Sequence, residues 1–325
     1  MTDMGLPIRP RRNRKSAAVR GLIRETRLNR EQLIYPVFMH DDPGDTPLQS
    51  LPGVTRWGLK GLVKEAQRAH KLGIGAIVLF PKVPDGSKST TADEAFNPDG
   101  LVPRAIKALK DKLPELCVIT DVALDPYNSD GHDGIVRDGK VVNDETVEVL
   151  CSQALMHAQA GADIVAPSDM MDGRVAAIRG ALDDQGFSDT SILAYTAKYA
   201  SAFYGPFRGA LDSAPKAGDK KTYQMDPANI REAAREAQLD EAEGADMLMV
   251  KPAGPYLDVI RAVRANTTLP VAAYQVSGEY LMLKTAAQSG WLDEKACVLE
   301  SLTGIVRAGA DMVLTYYAPQ IAVWL

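Results

Sequence analysis

Two lysines carry the strongest chemical signal in this sequence. Lys198 closes the segment AYTAK and Lys251 closes MLMVK, and both segments read as short apolar β-strands. A lysine at the end of such a strand sits at an apolar mouth and is poorly solvated. Two of them on neighbouring strands, about 4.8 Å apart, also repel each other. Both effects favour the neutral amine, and a neutral amine attacks a ketone carbonyl to give an imine. The competing assignment for each is a structural lysine held in an ion pair, and the pairing of two on adjacent strands weighs against it. Further polar residues leave the ends of other apolar runs: Asp121, Asp125, Ser168, Asp169, Ser277 and Tyr316.

Two loops add to this set. After Lys198 the chain runs YASAFYGPFR, with Tyr199, Phe203, Tyr204, Phe207 and Arg208, and then PKAGDKKTYQ, with Lys216, Lys220, Lys221 and Gln224. A polar loop of this kind over a barrel mouth can close on substrate and exclude water. Its cations together with Arg208 suit a carboxylate-bearing substrate. The other loop, DVALDPYNSDGHDG, spans residues 121–134 and holds Asp121, Asp125, Asp130, His132 and Asp133. Oxygen donors with one imidazole favour a hard ion such as Mg²⁺ over zinc. A turn-rich acidic loop with side-chain caps has the same composition, and the residues alone leave both readings open.

These residues must be positioned by something. Eight short apolar runs read as strands: 33–38, 74–80, 117–122, 162–167, 192–196, 246–250, 270–276 and 310–315. Continuous apolar runs suit a parallel sheet covered on both faces. Between them lie stretches of helical periodicity at 59–72, 144–160, 226–243 and 294–308, each ending at a glycine. A pattern recurs at three helix-to-strand junctions, AQAGAD, AEGAD and RAGAD, in which glycine supplies the left-handed cap and the next strand starts at once. Eight strands with helical crossovers predict a single (β/α)₈ TIM barrel of class α/β. A doubly wound open sheet is the alternative, and it lacks a Gly-rich phosphate fingerprint after the first strands. In such a barrel the carboxyl ends of the strands form the site, so all the residues named above fall on one face.

The chain has 325 residues, 46% of them hydrophobic, and a formal net charge of -5. This is enough for a large core, and it implies no general attraction to nucleic acid or membrane. No apolar run approaches the ~18 residues of a membrane span. The first ten residues lack an apolar signal core, and three widely spaced cysteines, Cys117, Cys151 and Cys297, argue for a reducing compartment. Both point to the cytoplasm. Residues 1–30 are rich in arginine and poor in apolar residues, which makes them an arm that lies on a partner subunit or on the chain's own domain. Residues 31–325 are then the catalytic barrel. A basic arm can also bind nucleic acid, but aromatic interleaving is absent.

Taken together, VAPSDMMDGR, AKYASAFYGPFR, TYQMDPAN, GADMLMVKP, YQVSGEY and LTYY resemble the delta-aminolevulinic acid dehydratase (porphobilinogen synthase) family over nearly the whole chain. The resemblance implies a lyase of tetrapyrrole biosynthesis that condenses two 5-aminolevulinate molecules to porphobilinogen with loss of two waters. It implies that Lys251 binds the substrate that becomes the propionate side and Lys198 the one that becomes the acetate side. Ser277 and Tyr316 would hold the first carboxylate. Arg208, Lys220 and Gln224 would hold the second, with Tyr204 and Phe207 also contacting substrate. The arm would embrace a neighbouring subunit in a homo-octamer. At Lys220 the family often has arginine, so the charge is kept but the bidentate fork is lost.

The third loop departs from one branch of the family. Zinc-using members carry three cysteines where this chain has Ala123, Asp125 and Asp133, so zinc is not expected there. The aspartate-bearing branch uses Mg²⁺, largely at an allosteric interface site whose matching acid is Glu236, although a solvated helix acid would look the same. Asp121, Asp125 and Asp133 are the candidates for proton transfer. Two rivals remain from the sequence: a class I aldolase-like barrel lyase, which needs only one such lysine, and a non-catalytic binding protein with a basic arm.

Overall fold

The computed structural model describes residues 6–211 and 215–325. Eight parallel strands form a closed barrel: β1 (Leu33–His40), β2 (Ala76–Lys82), β3 (Cys117–Val122), β4 (Ile164–Pro167), β5 (Ser191–Lys198), β6 (Met247–Lys251), β7 (Val271–Gln275) and β8 (Met312–Thr315). Each pairs with the next in chain order and β8 returns to β1 through Leu33 and Ile34. Every residue of β1 is buried, as are all but the first of β5. Strands enclosed between a packed lumen and a helical layer show this pattern.

Among the described residues, α1 (Ala17–Leu22) lies in the N-terminal stretch, and the helices around the barrel are α2 (Leu59–Lys71), α3 (Leu101–Lys112), α4 (Asn143–Ala160), α5 (Arg174–Asp184), α6 (Gly205–Leu211), α7 (Arg231–Ala242), α8 (Leu257–Asn266), α9 (Ser277–Gln288), α10 (Glu294–Ala308) and α11 (Ala318–Trp324). The helix expected from residue 226 begins at Arg231 instead. Asp226 accepts from the Ala228 amide at 2.9 Å, a local turn that competes with helix. β5 runs two residues beyond its apolar run and β6 one, so that Lys198 and Lys251 are the last residues of their strands, as their place at the end of AYTAK and MLMVK implies.

The repeated Gly-Ala-Asp junction has two physical parts. Gly161, Gly244 and Gly309 have φ of 103°, 101° and 129°, a conformation that only glycine adopts without strain. The aspartate that follows reaches sideways. Asp163 accepts from the Val118 amide, Asp246 from Ile192 and Asp311 from Val271, at 2.7, 2.7 and 2.8 Å. Each acid at the foot of an even-numbered strand thus pins the start of the preceding odd one.

In the N-terminal stretch, neither the 3₁₀ turn Pro10–Arg14 nor α1 has a buried residue. Leu6, Ile8, Leu22 and Ile23 are exposed. No helix among the described residues is long and apolar enough to cross a membrane.

Candidate active site

Lys198 and Lys251 are register partners across β5 and β6. Residues opposite each other in a parallel pair face the same side, here the barrel mouth. Both side chains are 5% exposed. They line one cavity with about 410 Å³ of empty space, partly open to solvent, together with Phe80, Asp121, Asp125, Asp133, Ser168, Tyr204, Phe207, Lys220 and Gln224.

The two amines differ in their surroundings. Lys251 Nζ lies over four rings, with centroids of Tyr195 and Tyr204 at 5.2 Å, Phe207 at 5.0 Å and Tyr274 at 4.7 Å. No hydrogen bond or ion pair to it occurs among the described residues. Burial, and then the neighbouring Lys198 ammonium, depress its pKa to about 7, which makes the neutral amine abundant near neutral pH. Lys198 Nζ instead donates to the Ser168 carbonyl and pairs with Asp133 Oδ1 at 3.4 Å. The two lysines therefore occupy unequal environments, one boxed by aromatic faces and one held by oxygen.

The carboxylates divide in the same way. Lys220 Nζ bridges Asp125 Oδ2 at 3.3 Å and Asp133 Oδ2 at 3.0 Å. Burial alone would raise the Asp133 carboxyl, but the Lys198 and Lys220 ammoniums outweigh it and hold Asp133 well below the usual carboxylate range. Asp121 is the opposite case. Burial pushes its pKa up to about 7 against the pull of Lys198 and Lys251, and its buried Oδ1 has no hydrogen-bond partner. A carboxyl poised near neutrality between two amines can take or give a proton.

The remaining predicted residues are placed as follows. Ser277 and Tyr316 do not line the cavity. Ser277 Oγ accepts from the Phe207 amide at 3.1 Å and donates to the Phe203 carbonyl at 3.4 Å. The Tyr316 ring stacks on Phe38 at 5.7 Å, and its hydroxyl is 3.0 Å from that of Tyr274. Phe207 does line the cavity, and it packs on Phe38 and Phe80. Arg208 falls within α6, but its side chain lies outside what the structure describes.

Glu236, on α7, lines a separate cavity with Asp172 and Glu232. Burial and then Asp240 raise it to about 6, a crowding of negative charge that a cation would relieve. Even so, no group of three or more His, Cys, Asp or Glu suited to holding a metal ion occurs among the described residues. At the mouth itself, Asp125 and Asp133 are taken up by lysines, and His132 by Tyr223 and Ala217. That Asp125 and Asp133 are paired with lysines is something the composition of the loop does not reveal.

Tyr195, Tyr274 and Phe80 were not singled out from the sequence. For the two tyrosines a signal was present, since each is the lone aromatic residue of its apolar run, LAYTAK and VAAYQV.

A closed eight-stranded barrel with two register-paired lysines at its carboxyl end, one of them a depressed amine in an aromatic box, defines a (β/α)₈ enzyme with two buried amines at its mouth. The family model for Delta-aminolevulinic acid dehydratase matches residues 7–324, and the chain belongs to that family. It is 63% identical over 327 residues to the chloroplastic delta-aminolevulinic acid dehydratase of Physcomitrium patens, covering 100% of this chain and 76% of that one. It is 60% identical over 316 residues to the chloroplastic enzyme of Glycine max, covering 97% and 77%. A crystal structure of the Toxoplasma gondii ME49 enzyme in complex with the reaction product porphobilinogen superposes with a TM-score of 0.98 at 57% identity, covering 99% of this chain and 93% of that one.

The chain is thus a lyase that condenses two 5-aminolevulinate molecules to porphobilinogen. The cytoplasmic expectation is corrected, since these plant relatives are named chloroplastic. The physical reason is that a barrel's composition and reduced cysteines suit a plastid as well as the cytoplasm.

Proposed function

We propose that Lys251 and Lys198 each form an imine with the ketone of one 5-aminolevulinate. The observation that carries this is their register pairing with unequal environments. Lys251 reacts first because its amine is already neutral in part and has no counter-ion to surrender. Lys198 becomes a nucleophile once its proton passes to a neighbouring carboxylate, and Asp121 is the residue best poised to receive it. Each imine forms with release of one water and is a better electron sink than the ketone, which eases deprotonation of the adjacent carbon and carbon–carbon bond formation. Elimination of Lys251 from the newly joined carbon and displacement of Lys198 by the amino group of the Lys251-bound substrate return both lysines without consuming water; that displacement closes the ring, proton loss gives the pyrrole, and the two waters released at imine formation are the net loss. Holding both substrates together removes association entropy worth up to ~7–11 kcal/mol.

Lys220 and Gln224 on the loop, with Arg208, offer donors for one carboxylate; Ser277 and Tyr316 offer hydroxyls for the other. For Ser277 this requires its hydroxyl to turn from the Phe203 carbonyl. Tyr204 and Phe207 wall the amine of Lys251 and exclude water. Aspartates in place of the zinc-binding cysteines favour the zinc-lacking branch. Mg²⁺, where it acts, does so near Glu236 with donors that the described residues do not complete, and no catalytic step is assigned to it. Exposed apolar residues on the N-terminal stretch favour its packing on a second copy within an octamer. The names of the plant relatives favour a plastid setting.

The test is borohydride reduction in the presence of 5-aminolevulinate, with and without prior chelation and Mg²⁺ addition, followed by peptide mass mapping. A reduced adduct on Lys251 that survives chelation is expected. Its absence would overturn the scheme.

A further inference from the structure

The loop carrying Lys220 is tied to the 121–134 loop by a chain of hydrogen bonds through His132 and Tyr223, whose polarity for a neutral imidazole follows from its fixed donors and acceptors. His132 Nε2 lies 3.0 Å from the Ala217 carbonyl, which can only accept. Nε2 must therefore carry the proton, and in the neutral ring Nδ1 must accept. Its partner at 3.1 Å is the Tyr223 hydroxyl, which is therefore the donor. That leaves the phenol oxygen to accept from the Asp133 amide at 3.3 Å. The chain thus runs from Asp133 N–H to Tyr223 O–H to His132, and from His132 to the Ala217 carbonyl. Burial and the nearby Asp133 carboxylate push the Tyr223 phenol far up, so it remains protonated and able to donate.

Both ends of this chain matter to the site. Asp133 pairs with Lys198, and Lys220, three residues past Ala217, bridges Asp125 and Asp133. Lys216 adds a backbone bond to the Asp130 carbonyl at 3.0 Å. The 121–134 loop is a firm platform for this contact. Buried Asn128 braces it from within, accepting from the Asp130 amide and donating to the Gly134 carbonyl, both at 2.7 Å.

We propose that His132 and Tyr223 are positioning residues that latch the 215–225 segment over the two lysines and so set Lys220 and Asp133 for the second substrate. This rests on the two-imine reading above. The latch touches neither amine directly, so its loss weakens capture of the second substrate while leaving the first imine at Lys251 intact.

The experiment compares Tyr223→Phe, His132→Ala and His132→Gln with the parent enzyme. Three readouts are used: steady-state kinetics with 5-aminolevulinate, borohydride trapping mapped to each lysine, and limited trypsin cleavage after Lys216, Lys220 and Lys221. Expected for Tyr223→Phe and His132→Ala are a rise in KM of about tenfold, the scale of one or two lost hydrogen bonds, faster cleavage in the 215–225 segment, and unchanged trapping on Lys251. His132→Gln, which keeps a donor and an acceptor, recovers most of the KM. Unchanged KM or unchanged cleavage overturns the latch, as does loss of Lys251 trapping together with KM, which would mark a general collapse of the site. If the parent enzyme itself gives no adduct on Lys251, the two-imine reading fails, and the cleavage rates still decide whether His132 and Tyr223 hold the segment.

Discussion

At Lys251 the surroundings of an ordinary side chain shift it toward its neutral amine. Four aromatic faces supply partial negative charge but no proton acceptor, so they solvate the ammonium less well than water does. With the amine depressed to about 7 by burial and by Lys198, the rate of imine trapping should rise about tenfold per pH unit below that value and level off above it. Asp121, also raised to about 7, acts in the same direction, since its base form grows over the same range. A rate-versus-pH profile of adduct formation measures this, and a flat profile across neutrality would refute it. The sign for stability is also fixed. The unfolded lysine holds its proton up to the ordinary 10.5 while the folded one releases it near 7, so the fold gains stability as pH rises through that window. The lysines, the three aspartates, Lys220 and Gln224 were all legible as site residues, because a strand end or a polar loop marks itself in the pattern. What was not legible was pairing. Nothing in DVALDPYNSDGHDG says that its acids meet Lys198 at a strand end 65 residues away and Lys220 on a loop 95 residues away, or that His132 faces Tyr223.

The strands were legible for a simpler reason. Runs such as IGAIVLF and DMLMV are apolar on both faces, and only a doubly covered sheet tolerates that. Their exact bounds were less so: the run read at 74–80 is a strand from Ala76 to Lys82, because the closing lysine is polar and the opening residues are apolar loop. The Gly-Ala-Asp repeat was visible as a junction, but the sideways reach of its aspartate was not, because the partner amide belongs to a different strand. That reach gives a prediction for the elements themselves. Asp246→Ala removes the acceptor for the part-buried Ile192 amide at the foot of β5, which should cost about 1–3 kcal/mol of stability. The bond lies at the opposite end of β5 from Lys198, so kcat below the unfolding transition should stay close to that of the parent. Denaturant titration paired with steady-state kinetics would test this. A large drop in kcat without loss of stability would mean that strand register, not stability, is what Asp246 protects.

At the scale of the molecule, one cavity at the barrel mouth gathers most of the candidate site residues. Both lysines, the three aspartates and the Lys220 segment come from the same chain. The N-terminal stretch, by contrast, gives its own barrel little. Pro10–Arg14 and Ala17–Leu22 bury nothing, while Leu22 is 83% and Ile8 79% exposed. Large apolar side chains left this open beside a run of arginines fit a surface that another copy covers. Deleting residues up to Leu22 should therefore leave the barrel folded, with Lys251 still trapped by borohydride, while the assembly measured by native mass falls below that of the full chain. The two readouts separate the arm's contribution from the barrel's. An unchanged assembly mass would remove the arm from the subunit contact, and loss of trapping at constant mass would mean that the arm shapes the site of its own chain.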